Sequence, residues 1–218
     1  MILSITEENY IKAIYHLSGE GDEAIGTNEI AAQVNARAAS VSDMLKKLKR
    51  KKLITYQKYY GVRLTPEGNR IAAAIVRKHR LWEVFLVEKL GYSWDKIHDI
   101  AEQLEHIRSE ELIERLDKFL GYPKFDPHGD PIPDSKGKVN ALKHKLLASL
   151  RKGDKARVTG VKDSSAKLLQ HLSSIGIQLG TTLEVHDVAE FDGSMLLRID
   201  GKKNITVSRL VAENILCA

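Results

Sequence analysis

The first 64 residues show helical hydrophobic spacing and then strand-like spacing. Apolar residues recur every three or four positions in 6–18, 27–35 and 39–53, which is the spacing that buries one face of a helix. Two short runs rich in β-branched and aromatic residues follow at 53–58 and 62–64, around a Tyr-Tyr-Gly turn. The pattern therefore predicts three helices and a hairpin, in that order.

The middle of the chain predicts longer helices. Thr65 is the expected N-cap of a helix that Pro66 opens, because proline is favoured at the first helical position, and the periodic run extends to Gly91. Ser93 and Ser109 are expected to cap two further helices, over 94–107 and 110–120.

The last third of the chain changes character. Residues 122–140 hold four of the five prolines and indicate a linker, and residues 141–150 predict one or two helical turns. From 153 to 218, short alternating runs are broken by glycines, with one helical stretch at 164–176. This part predicts a small β-barrel with a short helix.

The third predicted helix is apolar on one side and basic on the other. Val41, Leu45 and Leu48 form the apolar stripe. From Arg37 to Arg63 there are nine Lys or Arg residues and one acid, Asp43, so nine minus one leaves a local excess of eight positive charges. A helix pair whose second member is basic, followed by a hairpin, is typical of a winged helix-turn-helix that binds DNA.

The residues expected to contact DNA lie on this helix, just before it, or in the hairpin. Those near the helix start are expected to reach bases or flanking phosphates, and the later ones to hold the phosphate backbone. They are Arg37, Ser40, Ser42 and Asp43 in the first group, and Lys46, Lys47, Arg50 and the hairpin residue Lys58 in the second. For the lysine-rich run taken alone, the alternative is a solvated face of an ordinary helix.

Composition excludes some classes of protein. The hydrophobic fraction of 43% is that of a globular protein. No apolar run reaches the ~18 residues of a membrane span, and the start lacks the basic and apolar pattern of a secretory leader, so we expect a cytoplasmic protein without a membrane partner. Cys217 is the single cysteine. An internal disulfide is therefore excluded, and an internal metal site is expected to lack thiolate ligands.

The sign of the charge inverts in the helices that follow the hairpin. From His79 to Asp117 there are ten carboxylates and five Lys or Arg residues. Glu102, Glu105 and His106 have the spacing i, i+3 and i+4, which would place all three side chains on one face of a helix.

The neighbouring helical positions repeat this chemistry. His79 and Glu83 are four residues apart on the preceding helix, and His98 lies one turn before Glu102. Carboxylates and imidazoles concentrated in this way predict a site for a divalent metal. The alternative for each pair taken singly is a solvated helix face.

These motifs together resemble the diphtheria-toxin-repressor and manganese-transport-regulator family, over essentially the whole chain. The matching segments are TEENYIKAIYHL at the start, VSDMLKKL in the basic helix, GVRLTPEG in the hairpin, RKHRLWE, KIHDIAEQLEHIRSEE and the turn PHGDPIP. The segment KDSSAKLLQHLSSIGIQLGTTLEV is similar to the FeoA-like, SH3-like barrel of the longer members. The resemblance implies a homodimer that binds a palindromic operator on double-stranded DNA when metal is bound, and so represses metal-uptake genes.

Pattern and resemblance together predict a mainly α fold with a smaller β part. The expected domains are a winged helix-turn-helix at 1–72, a helical metal-binding and dimerisation domain at 73–140, and a linker with an SH3-like, FeoA-like β-barrel at 141–218.

The resemblance also implies two metal sites. The primary site maps to Glu102, Glu105 and His106, with Asn9 from the first helix; the ancillary site maps to His79, Glu83 and His98, with Asp126, His128 and Asp163 as candidates from the turn and the barrel. Asn9 stands where manganese-type members have Asp, and Lys12 excludes a helix-1 glutamate that some short manganese regulators use. A carboxylate that stabilises the turn and one that caps the barrel helix are the alternatives for Asp126 and Asp163.

The ligand chemistry favours Mn²⁺, because oxygen and nitrogen ligands without sulfur suit it, with Fe²⁺ as the alternative. Zn²⁺, Co²⁺ and Ni²⁺ are expected to bind in vitro at least as tightly, following the Irving–Williams order.

Two other functions remain open at this stage. One is a winged-helix regulator that responds to a small organic ligand or to a protein partner, its carboxylate faces being solvated. The other is a metalloenzyme, which the absence of HExxH, GxSxG and phosphate-loop patterns disfavours. We therefore predict a metal-dependent repressor that is not an enzyme and takes no small organic substrate.

Overall fold

The computed structural model describes residues 2–19, 23–57, 60–139 and 144–218. Within them the helices are α1 (Ile5–Leu17), α2 (Thr27–Gln33), α3 (Ala38–Arg50), α4 (Pro66–Glu88), α5 (His98–Leu104), α6 (Glu110–Phe119), α7 (Ala166–Ile175) and α8 (Arg209–Ala212). The strands are β1 (Ile54–Gln57), β2 (Gly61–Leu64), β3 (Lys145–Leu146), β4 (Lys155–Val161), β5 (Thr182–Val188), β6 (Met195–Ile199), β7 (Lys203–Val207) and β8 (Ile215–Cys217).

These elements form two compact units. The first unit contains the described residues of Met1–His79, Gln103–Ile113 and Ile132–Val139. The second contains those of Arg80–Glu102, Glu114–Pro131 and Asn140–Ala218. Each unit has its own hydrophobic core.

The start of α1 is set by a capping box. The Ser4 side chain accepts a hydrogen bond from the Glu7 amide at 3.3 Å, and the Glu7 carboxylate accepts one from the Ser4 amide at 2.7 Å. Two of the otherwise unpaired N–H groups of the helix start are thereby satisfied. The helix therefore begins at Ile5, and α2 begins after Gly26.

The core of the first unit joins the three N-terminal helices to the hairpin. Its fully buried side chains include Ile11, Ile14, Ile30, Leu45 and Leu48. Strands β1 and β2 pair antiparallel, and a backbone bridge between Ile25 and Val62 extends the hairpin. The predicted order of three helices and a hairpin is confirmed.

The junction between the hairpin and α4 needs a glycine. Thr65 caps α4 by accepting a hydrogen bond from the Gly68 amide at 3.1 Å, as predicted. A Cβ atom at Gly68 would lie 2.0 Å from the Leu53 carbonyl oxygen, so a larger residue would push the helix away from the hairpin.

Helix α5 is shorter than the pattern predicts. Residues 94–97 form turns, and the helix runs only from His98 to Leu104. Trp94 is instead packed in the core of the second unit, where its Nε1 donates to the Ser173 hydroxyl at 2.8 Å.

The C-terminal part of the second unit is a six-stranded antiparallel sheet in the order β3-β8-β4-β5-β6-β7. Helix α7 packs on it through Leu169 and Leu172. Of the predicted helical segment 141–150, residues 141–143 lie outside the described residues, and the remainder contains β3 and a 3₁₀ turn at Leu147–Ser149. That helical prediction is therefore wrong for residues 144–150. No helix among the described residues combines the length and apolar character needed to cross a membrane.

Candidate metal centres and nucleic-acid interface

A buried cluster in the second unit brings together Glu83, Asp126 and His128. Glu83 comes from α4, and the other two come from the turn after α6. All three residues are buried, and their potential ligand atoms lie within 4.8 Å of one another. The cluster unites one predicted ligand from the long helix with both predicted ligands from the turn.

The turn that carries Asp126 and His128 is fixed against β4. Gly129 has a φ of +90°, and a Cβ there would lie 2.1 Å from the Thr159 carbonyl oxygen. The Val161 amide donates to the His128 carbonyl at 2.9 Å. Asp126 Oδ1 accepts hydrogen bonds from the amides of His128 and Asp130 at 2.8 and 3.0 Å, so Asp126 also has the turn-stabilising role given as its alternative.

The ring of His128 is oriented by a backbone carbonyl. Its Nε2 lies 2.9 Å from the Trp94 carbonyl oxygen, which only accepts hydrogen bonds, so Nε2 carries a proton and donates it to this carbonyl. Its Nδ1 points to Glu83, with Oε2 at 3.6 Å. Metal-binding histidines commonly donate their second ring N–H to a carbonyl in this way.

The electrostatics of this cluster suit a cation. Burial raises the pKa of Asp126 to about 7, and the charges of Glu83 and Asp130 act in the same direction. Burial lowers the pKa of His128, but the hydrogen bond and charge of Glu83 outweigh burial and raise that pKa to about 9. Two buried carboxylates and an imidazole thus need positive charge, and their oxygen and nitrogen atoms suit a divalent ion such as Mn²⁺.

His98 and Asp163 lie in more open surroundings. His98 is exposed, with its Nδ1 3.7 Å from Glu83 Oε1 and its Nε2 4.0 Å from Glu102 Oε1. Asp163 is exposed and accepts hydrogen bonds from the Ser165 amide and hydroxyl at 2.8 and 3.1 Å, just before α7. Asp163 does not belong to the group of mutually close ligand atoms formed by Glu83, Asp126 and His128.

A second set of predicted ligands meets in the first unit, around Glu105. This carboxylate is completely buried, with His79 Nδ1 at 2.6 Å from Oε2 and Lys12 Nζ at 2.7 Å from Oε1. Burial would raise the pKa of Glu105, but the hydrogen bond from His79 and the charge of Lys12 lower it below its usual value. His106 Nδ1 lies 2.6 Å from Glu8 Oε2 on α1.

Asn9 also lies on α1, and its Oδ1 is buried without a hydrogen-bond partner among the described residues. Burial of an acceptor without a hydrogen bond costs free energy, so this oxygen is available to accept a hydrogen bond or to bind a cation.

The single helical face predicted for Glu102, Glu105 and His106 is wrong in detail. Helix α5 ends at Leu104, so only Glu102 is helical, and Glu105 and His106 lie in the turn that follows. The reason is that the Glu105 carboxylate turns inward to His79 and Lys12 instead of continuing an exposed helical row.

Sequence reasoning missed three side chains at these sites. Glu8 contacts His106, Lys12 contacts Glu105, and Arg80 lies 3.7 Å from Asp126. Glu8 and Lys12 are four residues apart and therefore share a face of α1, a spacing that could have identified them as partners of the Glu105–His106 pair.

The face of α3 opposite its buried stripe carries the residues predicted to contact DNA. Six of them are exposed (Arg37, Ser40, Asp43, Lys46, Lys47 and Arg50), and Ser42 is half-buried, its hydroxyl donating to the Ala38 carbonyl at 2.9 Å. Arg37 is the N-cap residue, and the other six lie within α3. Lys58 lies outside the described residues.

Comparison with protein families matches three consecutive segments of the chain. Residues 2–62 match the iron dependent repressor N-terminal DNA binding domain, residues 65–134 match the iron dependent repressor metal binding and dimerisation domain, and residues 145–218 match the FeoA domain. These matches confirm the predicted fold class.

Individual relatives agree with the family match. The chain is 34% identical over 128 residues to the diphtheria toxin repressor of Corynebacterium jeikeium, an alignment that covers 59% of this chain and 53% of the relative. It thus spans about half the length of the first curated relatives that it matches.

Solved structures align over nearly the whole chain. A manganese-dependent transcriptional repressor in complex with manganese is 36% identical, with a TM-score of 0.86 over 97% of this chain and 99% of that one. ScaR with bound Cd²⁺ is 35% identical, with a TM-score of 0.75 over 97% and 98%. The chain therefore belongs to the diphtheria-toxin-repressor family of metal-dependent transcriptional repressors.

Proposed function

We propose that this chain is a transcriptional repressor whose affinity for a palindromic operator rises when a divalent metal is bound. The observation that carries the proposal is the buried cluster of Glu83, Asp126 and His128 in a chain whose α3 presents an exposed basic face. Glu83 and Asp126 favour a positive charge on His128, and a bound divalent cation would supply positive charge there in place of the His128 proton.

The metal ligands that we propose are those predicted from the sequence. The ancillary site takes His79, Glu83 and His98, with Asp126, His128 and Asp163; the primary site takes Glu102, Glu105 and His106, with Asn9. Because His79 Nδ1 lies 2.6 Å from Glu105 Oε2, we add His79 as a candidate ligand of the primary site. Mn²⁺ is the proposed physiological ion, because every ligand is oxygen or nitrogen. Fe²⁺ is the alternative, since the matching family models are named for iron-dependent repressors.

The switch works through the position of α1 within the first unit. Helix α1 contacts α2 and β2, and it also carries Glu8, which contacts His106. A metal ion that shares ligands from α1, α4 and the turn after α5 would therefore fix the position of α1, and through α1 the position of the basic helix α3. Two copies related by a two-fold axis would then present α3 at a spacing near one DNA turn, about 34 Å.

The chain is expected to act in the cytoplasm, with operator DNA and a second copy as partners. The alternative is a winged-helix regulator that responds to a small organic ligand or to a protein partner. It predicts that the affinity for DNA does not depend on metal. A metalloenzyme is less favoured, because the matched relatives are named as repressors.

The decisive test measures operator binding by fluorescence anisotropy, on a palindromic fragment from the gene's own promoter, in chelator, in Mn²⁺ and, without oxygen, in Fe²⁺. The wild type is expected to bind about 5- to 150-fold more tightly with metal, the usual range for coupling between two sites. Glu83→Gln and His128→Gln should lose most of this gain, because each removes one ligand from the buried cluster.

Glu88→Gln is the matched control, since Glu88 lies on the same helix but is half-exposed and contacts Lys89. It should keep the full response to metal. Equal operator affinity in chelator and in metal for the wild type would contradict the proposal and favour the organic-ligand alternative.

A further inference from the structure

Lys12 holds a buried positive charge against one of the proposed metal ligands. Its Nζ lies 2.7 Å from Glu105 Oε1 and 2.8 Å from Oε2, so a single ammonium contacts both oxygens of the carboxylate. The Lys12 side chain is only 11% exposed and that of Glu105 is not exposed at all. This is a desolvated ion pair: the attraction between the two charges is less screened than at the surface, and loss of one partner would leave the other charge buried and uncompensated.

The position of this ammonium conflicts with that of a metal ion. Hard divalent cations bind carboxylate oxygens at about 2.0–2.6 Å, so an ion on Glu105 would overlap or strongly repel a nitrogen that lies within 2.8 Å of both oxygens. His79 contacts the same carboxylate at 2.6 Å from its Nδ1, which leaves Lys12 as the cationic side chain that must yield.

We propose that Lys12 is an internal competitor of the metal. Its ammonium neutralises Glu105 in the metal-free chain and must leave that carboxylate before a divalent ion binds to Glu105, His79 and His106. The proposal rests on the metal-dependent function given above and deepens it, because it names the residue that lowers the affinity of this site. Lys12 thereby raises the free metal concentration at which the repressor responds.

The competitor and the first turn of α1 act on neighbouring ligands. Lys12 contacts Glu105, while Glu8, one helical turn earlier, contacts His106. Both contacts hold α1 against the turn after α5 without a metal. Displacement of Lys12 by the metal would therefore replace the Lys12–Glu105 ion pair between α1 and the turn after α5 with a link through the metal.

Lys78 offers a matched control for simple loss of positive charge. It lies close enough for the charges of Glu8 and Glu105 to act on its pKa, against the larger opposing effect of burial. Its ammonium, however, donates to the Ile107 carbonyl at 3.5 Å. Lys78→Leu thus removes a neighbouring charge from the same surroundings without removing the contact that we propose to compete.

The test is a Mn²⁺ titration of the full chain, with free Mn²⁺ followed by its electron paramagnetic resonance signal. Asp126→Asn is present in every titrated variant, so that the remaining strong binding reports on the Glu105 site. Lys12→Leu is expected to lower the dissociation constant on the order of tenfold, within the usual range of coupling between two ligands. Lys12→Gln should lower it less, because an amide can still donate to Glu105, and Lys78→Leu should lower it least.

Thermal unfolding in chelator provides a readout that does not depend on binding. Lys12→Leu should lower the melting temperature, because Glu105 loses its counter-charge, and Mn²⁺ should restore more stability to this variant than to the parent. If Lys12→Leu does not fold, Lys12→Gln decides the question.

The outcomes separate the two proposals. A wild-type chain that binds no Mn²⁺ overturns the metal-dependent function and this inference with it. A second outcome is that the wild type binds Mn²⁺ while Lys12→Leu and Lys12→Gln increase the affinity for Mn²⁺ no more than Lys78→Leu does. That result overturns only the role of Lys12.

Discussion

Glu7 shows how much a single buried carboxylate contributes to the first unit. It is almost fully buried in the first turn of α1, where Lys51 Nζ lies 2.6 Å and Lys47 Nζ 3.4 Å from its Oε1. Burial would raise the pKa of Glu7, but the hydrogen bonds from Lys51, Ser4 and Lys47 outweigh it and lower that pKa to about 2. Glu7 therefore ties α1 to the end of the basic helix.

We expect Glu7→Gln to lower the free energy of unfolding at pH 7 by about 1.5–3 kcal/mol, the range for hydrogen bonds to a charged group. Because the folded pKa lies below the ordinary value of 4.5, this stabilisation is present above pH 4.5 and is lost as the pH falls towards 2. Urea unfolding at pH 7 and at pH 3 should show that the difference between wild type and variant shrinks in acid.

Glu67→Gln is the control for that measurement, since Glu67 pairs with Arg70 on the solvent-exposed side of α4 and should matter far less. A difference between wild type and Glu7→Gln that is the same at both pH values would contradict the assignment.

The sequence could predict which residue types form the sites, but not how they pair. The spacing of His79, Glu105 and His106 marks them as ligand candidates without any structure. The contact between Lys12 and Glu105 joins residues 93 positions apart, and local periodicity carries no information on such a pair. Lys12 could therefore be read only as a missing ligand, and not as the partner of one.

Among the elements, α3 is the one that we propose contacts DNA. Its buried side chains Val41, Leu45 and Leu48 fix its inner face, so the outer face is presented as a rigid surface. Exposed basic residues on such a surface bind phosphates, and each phosphate contact releases counterions from DNA.

Arg50→Ala is expected to weaken operator binding and to reduce the slope of log K against log salt concentration by about 0.9, the value for one phosphate contact. The loss should be similar for specific and non-specific DNA. Arg115→Ala is the matched control, because Arg115 is an exposed arginine on α6, outside the predicted reading surface. Identical salt slopes for Arg50→Ala and the wild type would remove Arg50 from the interface.

Element boundaries were predictable where local chemistry decides them. Thr65 and Ser109 act as caps, as the sequence predicts, because a side-chain oxygen four or fewer positions from the amide needs no tertiary partner. The start of α5 was not predictable, since Trp94 is drawn into a core built from residues far along the chain. Tertiary burial there outweighs helical periodicity.

At the scale of the whole molecule, the second unit leaves apolar side chains exposed near the ends of α4 and α6. Leu90, Tyr92, Phe119 and Tyr122 are all exposed, and the ring centroid of Phe119 lies 6.4 Å from that of Phe85. Clustered exposed apolar groups indicate a protein interface. If two copies pair as proposed above, we expect this surface to lie between them, whereas Trp82 and Leu86, which share an apolar face with Phe85 in the sequence, are buried within one copy.

Phe119→Asp should convert the proposed dimer into a monomer at micromolar concentration, because it places a charge on this apolar surface. Sedimentation velocity with and without Mn²⁺ measures the change, and operator affinity should fall with it. Phe191→Asp is the control, since Phe191 is completely exposed on the hairpin between β5 and β6. A dimer that survives Phe119→Asp would place the interface elsewhere.

The order of strands in the C-terminal sheet has a consequence for biosynthesis. Strand β8 lies between β3 and β4, so β3 can be joined to the rest of the sheet only after residue 217 has left the ribosome. Every residue of the first unit precedes position 140, so its chain is complete while much of the sheet is still being synthesised. Non-local pairing of this kind is intrinsically slow, and an unpaired strand edge is prone to aggregate. The first unit is thus expected to be ordered while β3 and β4 still lack their shared neighbour β8, and during this interval their unpaired edges are exposed to aggregation.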